Sequence, residues 1–98
     1  MELNIQAIKF EPTQKLQDFV QKKVGKLEKF SDEIRKVEVS LKVVKPETSM
    51  NKEAAIRVFA GTELYADKVC DTFEEAIDSC LDALLKQLEK MKEKLQNR

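Results

Sequence analysis

A chain of 98 residues, 42% hydrophobic and 37% charged, sets one domain with one core and leaves no room for a second domain or a deep cofactor cleft. Its 18 basic side chains balance 18 acidic ones, so the total charge selects no partner. No apolar run approaches the roughly 20 residues needed to span a bilayer, and the opening ELNIQAIKF has neither the basic start nor the apolar core of a secretory signal. The chain is therefore expected in the cytoplasm, without a membrane partner and with Cys70 and Cys80 reduced.

Residues 2–10 alternate Leu3, Ile5 and Ala7 with Glu2, Asn4 and Gln6, the period of a half-buried strand. Pro12 breaks it, and Thr13 offers a helix N-cap. Leu16, Phe19, Val20, Val24, Leu27 and Phe30 then recur at spacings of three and four, which predicts a helix over about 13–30, closed by Ser31 and Asp32. Gly25 inside it costs roughly 1 kcal/mol against alanine. Val37, Val39, Leu41 and Val43 mark a second strand, and Pro46 to Lys52 form the longest loop. Ile56 and Val58 mark a third strand near 53–60, and Gly61-Thr62 turns into a fourth from Glu63 to Val69. Thr72-Phe73-Glu74-Glu75 reads as a capping box with Thr72 as N-cap. The second helix runs from there to about residue 96, with the apolar stripe Phe73, Ile77, Cys80, Leu81, Leu84, Leu88, Met91 and Leu95.

The order β-α-β-β-β-α gives an α+β fold. Three consecutive strands favour an antiparallel meander. Glu38, Ser40 and Lys42 alternate with Val37, Val39 and Leu41, so one sheet face stays wet and both helices pack on the other. The expected architecture is a two-layer sandwich: a four-stranded sheet with two roughly parallel helices on one face.

The neutral total hides a polarised chain. Residues 15–36 carry seven basic against four acidic side chains, residues 47–82 three against nine, and residues 83–98 five against two. On a helical wheel Lys86, Lys90 and Lys94 share one flank of the second helix, while Asp78, Asp82, Glu89 and Glu93 share another. On the first helix Lys15, Lys22, Lys26 and Lys29 share a flank, and Lys23 lies within the apolar stripe. The plain reading is a solvated helix face with pairs such as Asp82–Lys86. Against it, Lys86–Lys90 and Lys90–Lys94 are like-charge neighbours one turn apart, slightly destabilising on their own. Lysine near a helix C-terminus also suits the dipole, which accounts for part of the pattern. Lys23 either snorkels at the helix edge or reaches a bound anion. Basic stripes on two neighbouring helices match what a phosphate backbone requires. With one tyrosine, and five phenylalanines mostly on core stripes, recognition by shape and phosphate is expected, without sequence readout.

Other chemistry finds little support. There is no histidine for general-base catalysis, and two cysteines alone do not make a zinc site. No phosphate-cradling glycine motif occurs. Asp78 and Asp82 stand one turn apart, but on a charged helix they read as solvated surface. No catalytic residue, metal ligand, cofactor or small-molecule substrate is expected.

The opening MELNI, the helix LQDFVQKKVGKLEKF, the strand VEVSLKV and above all the run EEAIDSCLDALLKQLEKMKEKL resemble the short ribosome hibernation promoting factor family, which includes the ribosome-associated inhibitor A proteins. The resemblance spans nearly the whole chain, least at 46–52. It implies a fold like an elaborated double-stranded-RNA-binding domain. It also implies a non-enzymatic factor that binds the small ribosomal subunit and its ribosomal RNA near the decoding centre. There it would exclude messenger and transfer RNA and repress translation as a stress response, and it would favour or permit ribosome dimers. Carried over by position, the RNA-facing residues are Lys22, Lys23, Lys26 and Lys29 on the first helix and Lys86, Lys90, Lys92 and Lys94 on the second. The family often has an aromatic residue where Glu74 stands and a lysine where Ala83 stands. Ending at Arg98, the chain is expected to lack the dimerising domain of the long form and the tail of the inhibitor A type. Off the ribosome a monomer is expected. Two other readings stay open: a generic module for structured RNA, and a protein-interaction domain whose second helix pairs with a partner helix.

Overall fold

The computed structural model describes residues 1–44 and 50–96, with side chains as far as Glu93. Six elements follow in chain order: β1 (Glu2–Ala7), α1 (Gln14–Phe30), β2 (Lys36–Val43), β3 (Lys52–Phe59), β4 (Glu63–Cys70) and α2 (Phe73–Gln96). The sheet order is β1-β2-β3-β4. β1 runs parallel to β2, with Glu2 beside Lys36 and Ala7 beside Leu41, because α1 carries the chain back over the sheet between them. The β2-β3-β4 meander is antiparallel, as the short connections require.

The helices begin where the caps predict. Thr13 Oγ1 accepts from the Leu16 amide at 3.1 Å, and Thr72 Oγ1 from the Glu75 amide at 3.1 Å. The return bond of the second capping box, from the Thr72 amide to the Glu75 carboxylate, does not form. Glu74 and Glu75 still suit the positive end of the helix dipole. Ser31 caps the C-terminus of α1 through its amide on the Leu27 carbonyl.

One core joins both layers. Val20, Val24 and Leu27 from α1 and Ile77, Cys80 and Leu84 from α2 pack on Val37, Leu41, Ile56 and Val58, all fully buried. The Cys80 thiol donates to the Ala54 carbonyl at 3.2 Å. Burial pushes it up to about 12, with the Asp67 carboxylate adding to the effect, so Cys80 is a protonated core residue at neutral pH.

Several strand boundaries differ from the sequence pattern, the fourth strand for one running a residue further, to Cys70. The first strand stops at Ala7, not residue 10, because Lys9 takes φ 64°. That left-handed residue turns the chain so that Phe10 stacks on Phe73 at 5.1 Å, tying the β1–α1 connection to the start of α2. The third strand begins at Lys52 and ends at Phe59, one residue early at each end. Most of the expected loop at 46–52 lies outside the described residues.

A Cβ added at Gly25 meets no atom within 4 Å. Gly25→Ala is therefore expected to raise stability by roughly 0.5–1 kcal/mol through helix propensity alone. Thermal melting would show this as a Tm several degrees higher; a lowered Tm would mean that the helix is strained there.

Candidate nucleic-acid interface

The two helices lie side by side, and their contacts fix which flanks meet. Lys23 of α1 reaches Asp78 of α2 at 3.3 Å, and Phe30 at the end of α1 meets Lys92. Residue numbers rise together in the two helices, so they run parallel, as expected. On a 3.6-residue helix, the flank of α2 that faces α1 carries Asp78, Asp82, Leu85 and Lys92. Between the helices lies a hollow of about 330 Å³, lined by Lys23, Lys26, Leu27, Asp78, Leu81, Asp82 and Leu85.

The lysines singled out by sequence fall into two groups. Lys22, Lys26 and Lys29 on α1 and Lys86 and Lys90 on α2 are exposed and make no ion pair among the described residues. Lys22 and Lys29 sit opposite the buried stripe of α1, and Lys86 opposite that of α2, so they crest the helical layer. Lys90 lies further round, on the flank turned away from α1. The side chain of Lys94 lies outside the described residues.

Lys23 and Lys92 are braced. Lys23 is half-buried, its ammonium 3.3 Å from the Asp78 carboxylate and 5.4 Å from the centre of the Phe19 ring. That contact explains a lysine in an apolar stripe: its stem covers the core edge and its charge meets an acid of the neighbouring helix. The Lys92 ammonium donates to the Phe30 carbonyl at 2.7 Å and lies 4.2 Å from the centre of the Phe30 ring. It thus satisfies one of the open carbonyls at the end of α1 and complements the dipole there. Neither partner is visible from local spacing, since Asp78 and Phe30 are far away along the chain.

The stripes do not merge into one band. The acidic flank of α2 faces the lysine flank of α1 across the hollow, and Lys90 points the other way. The expected Asp82–Lys86 pair does not form either. Asp82 lines the hollow beside Lys26, while Lys86 stands on the crest.

The structure adds Arg35, which composition counted but spacing did not single out. Its amide donates to the Phe59 carbonyl at 2.8 Å and its carbonyl accepts from the Glu2 amide at 3.0 Å. An exposed guanidinium is thus held on a fixed backbone in the connection that follows Lys29.

Among the described residues no group of histidine, cysteine, aspartate or glutamate could hold a metal ion. No described helix is long and apolar enough to cross a membrane. The exposed lysines form two separate stripes with acids of α2 between them, and each stripe is of the kind that contacts phosphate oxygens.

A mixed sheet with two parallel helices on one face and a lysine crest defines an α+β binding module. Its relatives are specific. Residues 3–96 match the family described as Sigma 54 modulation protein / S30EA ribosomal protein, and the chain belongs to that family. It is 39% identical over 95 residues to the ribosome hibernation promoting factor of Escherichia coli (strain K12), covering 97% of each chain. To the protein of the same name from Pseudomonas putida it is 36% identical over 97 residues, covering 99% of this chain and 92% of the other. In fold it is similar to a ribosomal subunit interface protein from Coxiella burnetii (TM-score 0.82, 19% identity, 94% and 98% covered). It is also similar to the N-terminal domain of Thermus thermophilus Protein Y (TM-score 0.77, 22% identity, 93% and 99% covered).

Proposed function

We propose that this protein is a ribosome hibernation factor, a single cytoplasmic ribosome-binding unit that acts by occupancy and not by catalysis. Its relatives carry that name along nearly their whole length, which supports ribosome association and repression of translation as the general role. The finer reading is that it binds the small subunit near the decoding centre, through ribosomal RNA, and excludes messenger and transfer RNA.

The observation that carries the RNA-facing part is the set of unpaired, exposed cations Lys22, Lys26, Lys29, Lys86 and Lys90. Like-charge neighbours that make no ion pair among the described residues are a slight cost in the free protein and a gain against phosphate. Lys23 and Lys92 join from braced positions, and the sequence reading adds Lys94, whose side chain lies outside the described residues. The partner-helix reading has less to work with. Leu88 is buried and Met91 packs against the core, so the apolar stripe of α2 is covered that far.

Co-sedimentation with ribosomes and separated subunits across a salt series tests this reading. Binding to the small subunit that falls steeply with salt and competes with transfer RNA is expected. No binding at low salt would overturn it. Equal affinity for free duplex RNA would favour the generic RNA module. Ribosome dimers, if promoted, would show in the same gradients as a faster peak.

A further inference from the structure

The two edges of the sheet are treated differently. At β4 the outward carbonyl of Tyr65 accepts from Gln87 Nε2 at 3.1 Å, so a side chain of α2 closes part of that edge. At β1 nothing comparable occurs among the described residues. The Glu2 amide donates to Arg35 and the Ile8 amide to Leu41, so in this parallel pair the amides of Glu2, Asn4, Gln6 and Ile8 face β2. The amides and carbonyls of Leu3, Ile5 and Ala7 therefore point out of the sheet, and no described group meets them.

Natural edges are usually guarded by a lysine, a proline or a bulge. From Leu3 to Ala7 the sequence is Leu-Asn-Ile-Gln-Ala, with none of these. The side chains of Leu3 and Ile5 are only half-buried, so the core layer is unfinished at this edge.

The helix above the edge is also permissive. Met1 reaches Glu28 at 4.0 Å, which places the β1-side flank of α1. That flank carries Gln14, Gln17, Gln21 and Glu28, while every lysine of α1 lies on its crest or toward α2. From Glu28 back to Gln17–Gln21 is about 10–17 Å at 1.5 Å per residue. From Met1 to Ile5 is about 13 Å at 3.3 Å per residue. Gln17 and Gln21 therefore stand level with Ile5.

We propose that the outer edge of β1 is a self-association surface and that its occupant is a second copy of this chain. The copies pair antiparallel about a two-fold axis through Ile5, with Ile5 opposite Ile5 and Leu3 opposite Ala7. This register joins all the outward amides and carbonyls, and it sets Asn4 opposite Gln6 on the wet face, so no like charges meet. The sheet continues across the seam as a single layer. Two strand spacings of about 4.8 Å match the 8–10 Å separation of packed helices, so the two α1 helices fit side by side and meet through glutamines. The lysine crests stay exposed, and the pairing is independent of the ribosome reading. The seam is short, so the association is weak and reversible, and a monomer prevails when the protein is dilute.

Sedimentation equilibrium from micromolar to millimolar protein, with amide hydrogen exchange at both extremes, tests the proposal. A reversible monomer–dimer equilibrium is expected, with exchange at Leu3, Ile5 and Ala7 slowing as concentration rises. Asn4→Lys combined with Gln6→Lys, both at exposed positions, sets lysines opposite each other across the seam and should return the protein to monomer. Ala7→Pro should do the same, because the amide it removes is not used within the sheet. The far-ultraviolet spectrum and ribosome co-sedimentation should stay unchanged in both variants. A monomer at millimolar concentration overturns the proposal, as does a dimer that persists in the double lysine variant.

Discussion

Replacing Lys22, Lys29, Lys86 and Lys90 with glutamate abolishes co-sedimentation with ribosomes at physiological salt and leaves the melting temperature within a few degrees of the parent. All four side chains are exposed and unpaired among the described residues, so no packing is lost. On α2 the reversed pair at positions 86 and 90 is again a like-charge pair one turn apart, so the change within the helix is small. Against RNA, each reversal deletes a phosphate contact and adds a repulsive charge. Four reversals cost on the order of a thousandfold or more in affinity at moderate salt. A single Lys→Ala at any of these positions should lower the slope of log affinity against log salt by about one, with little preference for one RNA sequence over another. Lys23→Glu and Lys92→Glu should behave differently, since each also removes a brace between the helices and lowers stability. If the quadruple variant still binds, the RNA contacts lie elsewhere.

Leu84→Ala is expected to cost about 2–5 kcal/mol in unfolding free energy. Leu84 is fully buried at the middle of α2, within the core that joins both helices to the sheet. Truncation removes methyl groups from water-free surroundings and leaves a cavity that rigid strands cannot fill. Small domains have only about 5–15 kcal/mol in total, so the loss is a large share of the reserve. Denaturant titration should show a lower midpoint with an unchanged slope. Leu85→Ala, half-buried beside the hollow, should cost clearly less. Equal losses at the two positions would contradict the packing described. Because Leu84 faces away from the crest, folded Leu84→Ala protein should retain its ribosome affinity.

Much of the fold was legible because core residues announce themselves through period. Val37, Val39 and Leu41 alternate, Leu16, Val20, Val24 and Leu27 repeat every three or four, and Thr13 and Thr72 mark the helix starts. The early end of β1 was not legible, since nothing in the residue type Lys9 announces a left-handed backbone. The candidate interface divides in the same way. Exposure of Lys22, Lys26, Lys29, Lys86 and Lys90 follows from helical phase. The braces at Lys23 and Lys92 depend on Asp78 and Phe30, which only tertiary packing brings near. That the α2 acids face the α1 lysines, and so separate the stripes, required knowing which flank of each helix turns inward.

The parallel pairing of β1 with β2 has a kinetic consequence. β2, β3 and β4 close through neighbouring segments, so their hairpins need little chain to be gathered. Glu2 finds Lys36 only after α1 has folded back, and such a long loop must be closed before any contact offsets its entropy. The meander with α2 is then the early-forming unit, and β1 arrives last. Core substitutions in β3, such as Ile56→Val, should slow refolding, whereas Ile5→Val should act mainly by speeding unfolding. Stopped-flow chevrons of the two variants would separate these effects, and a slowed folding limb for Ile5→Val would show that the amino-terminal strand is already in place at the barrier.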